Sequence, residues 1–121
     1  MGTNHVRPIL NPVEIENSII RICDEMEAVT ELYSELSQQA AETEAQYKYV
    51  HAKAHVEMAA IMSNKMTVTE RQSRADLISE SEFRVYRINE ARRQAAREAL
   101  LSLRARLDAL RTLSANLRHQ T

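Results

Sequence analysis

Glycine, proline, tryptophan and cysteine are almost absent from this chain of 121 residues. It has one Gly, two Pro and no Trp, so the tight turns that join strands have few residues to form them. The single cysteine, Cys23, excludes an internal disulfide and favours a reducing compartment. No window contains the roughly 18 apolar residues of a membrane span, and the N-terminus has no apolar signal core. We therefore expect a soluble, cytoplasmic protein.

The abundant residues are those of long helices. Leu, Ala, Glu, Arg and Gln dominate the sequence, and these residues have high helix propensity. At this length the chain forms one domain at most. Charged residues make up 27% of the chain and the net charge is −1, which implies no general affinity for polyanions. The composition predicts an all-α protein.

Asn11 and Pro12 predict the start of a first helix that spans 12–62, after a flexible tail at 1–10. Asn is a favoured N-cap and Pro fits the first helical position, where its missing N–H costs nothing. Apolar residues then recur at alternating steps of four and three, which is typical of a coiled-coil helix with about seven heptads. They are Ile15, Ile19, Ile22, Met26, Val29, Tyr33, Leu36, Ala40, Tyr47, Val50, Ala54 and Ile61.

The stretch 63–67 is the predicted turn, and a second helix is predicted over 68–118. Ser63 and Asn64 are turn-prone, because their short polar side chains compete for backbone groups. Thr67 and Glu70 have the spacing of a capping box. The apolar stripe of the second helix comprises Val85, Ile88, Ala95, Ala96, Ala99, Leu100, Leu103, Leu107, Leu110, Leu113 and Leu117.

The charge pattern indicates that the two helices fold back on each other. Residues 1–60 have four Lys or Arg and ten Asp or Glu, whereas residues 61–121 have twelve and seven. The acids concentrate in 22–47 and the arginines in 82–107, at matching distances from the turn. Each exposed pair contributes only about 0.2–1 kcal/mol, so the charges set register more than stability. We predict a long antiparallel, coiled-coil-like hairpin that forms a single domain over 11–121.

A hairpin of two helices leaves one flank of each apolar stripe exposed to water. Stripes of this length imply association, so we expect a homo-oligomer in which hairpins pack side by side. The predicted interface comprises Ile15, Ile19, Ile22, Met26, Val29, Leu103, Leu107 and Leu110.

The sequence offers no catalytic or metal-binding constellation. It has no Gly-rich phosphate loop and no histidine with an evident nucleophile and acid. His51 and His55 have a spacing that can hold a metal, but a third ligand is missing. Met58, Met62 and Met66 form a ladder that is more often core or subunit interface than an adaptable partner surface. We expect neither enzymatic activity nor a cofactor.

Basic residues near the turn are the remaining candidates for a function. They lie outside the acid-rich window and have no evident bank of partners, and tyrosines interleave with them. A base can stack on tyrosine while lysine neutralises phosphate, although Tyr47 lies on the apolar stripe and is expected to be buried. The candidate nucleic-acid-binding residues are Lys48, Lys53, His55, Lys65, Arg71 and Arg74.

One segment of the first helix resembles a known family. The run 44–57 (Glu-Ala-Gln-Tyr-Lys-Tyr-Val-His-Ala-Lys-Ala-His-Val-Glu) is similar to the central segment of the UvsY phage recombination mediators. Thr67-Val68 and the run 107–111 (Leu-Asp-Ala-Leu-Arg) are also similar, and the resemblance covers about residues 40–118. It implies that Lys53 matches the lysine of that family's DNA-binding Lys-Ala-Arg, with His55 in the place of the arginine.

The resemblance further implies a ring-forming helical protein that binds single-stranded DNA. Such a mediator helps to load a recombinase onto DNA covered by a single-strand-binding protein, in the host cytoplasm if it is phage-encoded. Two alternatives remain open: a coiled-coil structural or assembly protein, and a small adaptor or inhibitor that binds a protein partner through its Met-rich turn. A mediator binds single strands with a negative salt slope, whereas the alternatives require only protein contacts.

Overall fold

The structure, a computed structural model, describes residues 11–62 and 65–119, except for the side chain of Met62. It contains three helices, α1 (Pro12–Met62), α2 (Val68–Ile78) and α3 (Glu80–His119), and no strand within the described residues. The long helix α1 packs against α3, which confirms the predicted all-α hairpin. None of the described helices has the length and hydropathy to cross a membrane. The predicted tail at 1–10 and the turn residues Ser63 and Asn64 lie outside the described residues.

Helix α1 begins with a reciprocal capping box at Asn11. The amide of Glu14 donates to Oδ1 of Asn11 at 2.8 Å, and the amide of Asn11 donates to Oε2 of Glu14 at 3.4 Å. These bonds satisfy backbone donors that have no partner inside the helix. Helix α1 starts at Pro12 and ends at Met62, the bounds that the sequence predicts.

Helix α2 begins at its own cap. Thr67 has extended backbone angles (φ −72°, ψ 162°), and its hydroxyl accepts from the amide of Glu70 at 3.1 Å. An extended residue whose side-chain oxygen accepts from the amide three residues on has the geometry of an N-cap. The local signal at Thr67 and Glu70 thus marks the start of α2.

The second arm is two helices, not the single helix that the sequence predicts over 68–118. The interruption is Ser79, which has φ −98° and ψ 13° and is buried. Its hydroxyl donates to the carbonyl of Ala75 at 2.7 Å. A serine that bonds the carbonyl four residues back competes with the helical backbone and favours a bend, which gives a physical reason for the break.

The internal contacts divide the described chain into two compact units. The terminal unit comprises residues 11–31 and 98–119, and the turn unit comprises Leu32–Arg97. The two units differ in the side chains that they bury.

The terminal unit has a core of large aliphatic side chains. Ile22, Leu103 and Leu107 are buried together, and Ile19, Met26, Val29 and Leu110 pack against them. Ile15 is also buried. All eight residues predicted to form an oligomer interface therefore pack inside a single chain. Ile15, Ile22, Leu103 and Leu107 are buried, whereas Ile19, Met26, Val29 and Leu110 remain partly exposed.

The turn unit buries small and polar residues. Its buried residues are Ala40, Ala54, Met66, Ala75, Ser79 and Ala96, and Met58 is half-buried. Polar contacts also join α1 and α3 in this unit: Asn89 Nδ2 donates to Thr43 Oγ1 at 3.4 Å, and the Arg93 guanidinium donates to the Tyr33 hydroxyl at 3.2 Å. Since an alanine buries far less apolar area than a leucine, the packing between α1 and α3 in the turn unit gains little hydrophobic stabilisation.

Six residues assigned to the apolar stripes are exposed: Ile61, Val85, Ile88, Ala95, Ala99 and Leu113. Ile61 is 79% exposed, and Val85 and Ile88 are each 49% exposed. On α3, helical spacing from the buried Leu103 toward the N-terminus leads to Ala96, Arg93 and Asn89, and Asn89 lies one position after the predicted Ile88. A shift of one position rotates a side chain by about 100°. In residues 89–93 of α3, polar side chains face α1. A prediction based on apolar spacing therefore selects the wrong face of the helix.

Candidate nucleic-acid interface

The six basic residues proposed from the sequence all lie in the turn unit. Three are on α1, one lies between α1 and α2, and two are on α2. In that order they are Lys48, Lys53 and His55, then Lys65, then Arg71 and Arg74. They do not form one continuous surface, because their positions on the helices and their surroundings differ.

The two lysines on α1 each face an acid one helical turn away. Lys48 Nζ lies 3.4 Å from Glu44 Oε1, and Lys53 Nζ lies 4.0 Å from Glu57 Oε1. The side chains of Lys53 and Glu57 are 58% and 60% exposed. Exposed ion pairs of this kind contribute about 0.2–1 kcal/mol, so a phosphate group can displace the carboxylate at small cost.

Lys53 and His55 lie on opposite sides of α1. Two positions on a helix correspond to a rotation of about 200°, so the two residues matched to the family's DNA-binding motif do not share a face. Lys48 and His55 do share one, since seven positions are nearly two full turns, roughly 10 Å along the axis. Lys53 and His55, which the resemblance pairs, therefore lie on opposite sides of α1.

His55 belongs to a histidine contact within the turn unit. Its ring lies 5.0 Å, centroid to centroid, from that of His51. His51 Nε2 in turn lies 2.8 Å from Oδ1 of Asp76 on α2. This link between α1 and α2 joins residues 25 positions apart, and no local sequence signal indicates it. His55 is half-buried, which makes it less accessible than the exposed lysines.

The remaining three cations have different surroundings. Arg71 is half-buried, and its Nε is buried without a hydrogen-bond acceptor among the described residues. Lys65 and Arg74 are exposed, and neither lies within 4.0 Å of a carboxylate in the described part of the chain. Lys65 and Arg74 are thus the cations most available for a phosphate.

Of the two tyrosines that flank Lys48, Tyr47 packs against other rings and Tyr49 is accessible. The Tyr47 ring lies 5.0 Å from Phe83 and stacks on Tyr86 at 6.1 Å. Tyr49 is 61% exposed and contacts no other ring among the described residues. Tyr49 and Lys53 are four positions apart and therefore share a helical face. This pair, which sequence reasoning did not single out, combines an open aromatic ring with an exposed cation.

The Tyr86 hydroxyl is held by an acid of α1. A hydrogen bond with Glu44, together with burial and the charge of that carboxylate, raises the pKa of Tyr86 above its ordinary value of 10.0. The same Glu44 lies near Lys48. Glu44 therefore has two partners, and a phosphate that binds Lys48 leaves the bond to Tyr86 in place.

Among the described residues, the arginines of the window 82–107 form no ion pair with the acidic helix α1. Arg84 lies 2.8 Å from Glu80, and Arg93 forms two hydrogen bonds with Glu90, so both bind acids of their own helix. The hydrogen bond from Arg93 lowers the pKa of Glu90. The other arginines of the window 82–107 have no carboxylate within 4.0 Å among the described residues: Arg87, Arg92, Arg97, Arg104 and Arg106.

Within the described residues, no group of three or more His, Cys, Asp or Glu side chains is arranged to hold a metal ion. Comparison of the chain with protein-family models, with curated proteins and with solved structures gives no match.

Proposed function

We propose that this protein is a non-enzymatic, homo-oligomeric accessory protein that binds single-stranded DNA. Its role would be that of a phage-type recombination mediator, which assists the loading of a recombinase onto DNA covered by a single-strand-binding protein. The observation that carries the proposal is the pair of Tyr49 and Lys53 on one exposed face of α1.

The Tyr49 ring supports recognition of a single strand. An exposed aromatic ring can stack on any base, and such stacking contributes about 1–3 kcal/mol per base. The bases of a duplex are already stacked on each other and cannot take this position without unpairing. An open ring beside a cation therefore favours single strands over duplex DNA.

Exposed cations of the turn unit can supply the phosphate contacts. Among the described residues, the partner of Lys53 is the exposed carboxylate of Glu57, and Lys65 and Arg74 have no carboxylate partner. Each phosphate neutralised releases condensed counterions from the strand, so binding is salt-sensitive. A few cations per chain give weak binding, and an oligomer multiplies it because its chains engage one strand together.

A coiled-coil assembly protein remains the second candidate, and one observation favours it. The outer faces of the terminal unit have unpaired charges and exposed apolar residues, which suit contact between chains. Such a protein would show no salt-dependent binding to single strands.

Fluorescence anisotropy with a labelled poly-dT oligonucleotide, titrated at low and moderate salt, tests the proposal. We expect salt-sensitive binding that is stronger than binding to duplex. Tyr49→Ala should weaken it about 5- to 150-fold, the equivalent of one lost stacking contact, whereas Tyr49→Phe should retain it. Lys53→Ala should make the log–log salt slope less negative by about 0.7.

Arg21→Ala is the charge-matched control, since Arg21 is an exposed arginine of α1 in the terminal unit. It should leave affinity and salt slope close to those of the unmodified protein. Absence of binding at low salt would refute the proposal. Binding that is equally weakened by Arg21→Ala and Lys53→Ala would refute the assigned site.

A further inference from the structure

A second heptad pattern runs along the outer side of α1 in the terminal unit. Its members follow each other at steps of four and three, and all are exposed. Val13 and Ile20 lie two positions before the buried Ile15 and Ile22, a rotation of about 200° from the core. They are 64% and 59% exposed. This acidic seam comprises Val13, Asn17, Ile20, Asp24, Glu27 and Glu31.

A matching pattern runs along α3 in the same unit. Its members are also exposed, at steps of three and four, and most are small, which allows another helix to approach closely. The one charged member, Arg106, has no carboxylate within 4.0 Å among the described residues, although it lines a surface groove with Glu25. This Arg106 seam comprises Ala99, Ser102, Arg106, Ala109 and Leu113.

We propose that the acidic seam of one chain binds the Arg106 seam of a second copy. Charge favours a second copy of the chain as the partner of the acidic seam. Asp24, Glu27 and Glu31 form no ion pair among the described residues, and Arg106 has the opposite charge. In the acidic seam Val13 and Ile20 precede the acids, whereas in the Arg106 seam Ala109 and Leu113 follow the arginine. Two unpaired surfaces of opposite charge in one unit complement each other between copies.

One antiparallel register pairs the central residues of the two seams. Placing Leu113 of one chain opposite Asn17 of the other brings Ala109 against Ile20. The same register places Arg106 against Asp24, seven positions further along each helix. Ala109 then meets the apolar Ile20 and the cation Arg106 meets an acid, as in the core and flanks of a coiled coil.

A contact between two different surfaces is heterologous and does not close at two chains. In a pair of chains, one chain keeps an unbound acidic seam and the other keeps an unbound Arg106 seam. Further copies can therefore add at either end. The proposal thus deepens the assembly part of the proposed function, on which it rests, and replaces the buried residues first expected at the interface. It does not depend on DNA binding, since Tyr49 and Lys53 belong to the turn unit.

Charge reversal with light scattering tests the contact. The unmodified protein should have a mass above two chains that increases with concentration. Arg106→Glu should reduce the mass to that of one chain, and so should the double variant Asp24→Lys/Glu27→Lys. A one-to-one mixture of the two variants should regain the larger mass, because each reversed seam then meets its complement. All substituted positions are exposed, and far-UV circular dichroism confirms that each variant is folded.

Arg104→Glu is the matched control, since Arg104 is exposed, has no ion pair among the described residues and lies two positions from Arg106. It should leave the mass unchanged. A mixture that stays at the mass of one chain would overturn the proposal, and so would a monomeric unmodified protein or loss of assembly in Arg104→Glu. Oligonucleotide anisotropy on the same samples distinguishes failure of this contact from failure of the DNA-binding proposal.

Discussion

Replacement of Leu107 by alanine should destabilise the protein by about 2–3 kcal/mol. Leu107 is 6% exposed and is buried with Ile22 and Leu103. Truncation of a buried leucine costs about 2–5 kcal/mol, and the cost falls where neighbours can collapse into the cavity. The neighbours of Leu107 include half-buried side chains at the edge of a two-helix contact, so we expect the lower part of that range.

Leu101→Ala is the matched control for this prediction. Leu101 lies on the same helix in the same unit, but it is 52% exposed. The same truncation should therefore cost less than about 1 kcal/mol, because little apolar area is lost from the buried surface. Urea unfolding followed by far-UV circular dichroism compares the two variants. Equal losses of stability would mean that the terminal unit does not have the packing described above.

The dependence on protein concentration distinguishes a core residue from an interface residue. Because Leu107 packs within one chain, its truncation should cost the same at low and high protein concentration. If it lay instead between chains, as the sequence pattern first suggested, the loss would shrink on dilution, because the unmodified chains would then dissociate as well. A loss that depends on concentration would thus contradict the assignment of Leu107 to the core.

Two further predictions concern a cap and an ionised pair. Thr67→Ala should cost about 0.5–2 kcal/mol as a lost N-cap, and an unchanged urea midpoint would show that the hydroxyl bond to the Glu70 amide does not stabilise α2. The Arg93 hydrogen bond holds the pKa of Glu90 below its ordinary 4.5, so this contribution is complete above about pH 4.5 and is lost as pH falls through the lower, folded value. Glu90→Gln should remove that acid-side loss of stability, and an unchanged pH dependence of unfolding would contradict the assignment.

The helix starts could be predicted because their signals are local. Asn11 with Glu14, and Thr67 with Glu70, each specify a cap within four residues. The break at Ser79 could not be predicted in this way. A serine inside a helical pattern is common, and only the burial that directs its hydroxyl to the Ala75 carbonyl distinguishes it.

The candidate site was partly accessible to sequence reasoning. The separation of Lys53 from His55 follows from helical rotation alone and could have been read from the two-residue spacing. The bond between His51 and Asp76 required knowledge of how α2 packs on α1, which no short pattern contains. Similarly, Arg93 and Asn89 lie on the inner face of α3 because Tyr33 and Thr43 accept their hydrogen bonds, a pairing between distant parts of the chain.

The small residues buried in the turn unit have a consequence for local opening. Buried alanines such as Ala40, Ala54 and Ala75 contribute little hydrophobic free energy, whereas the terminal unit has Ile22, Leu103 and Leu107. Segments with few large buried side chains open at lower free energy and exchange their amide hydrogens sooner. We therefore expect the helix turns around Tyr49 to open transiently while those around Leu107 remain protected. A strand that binds the turn unit would then increase amide protection there and leave the terminal unit nearly unchanged.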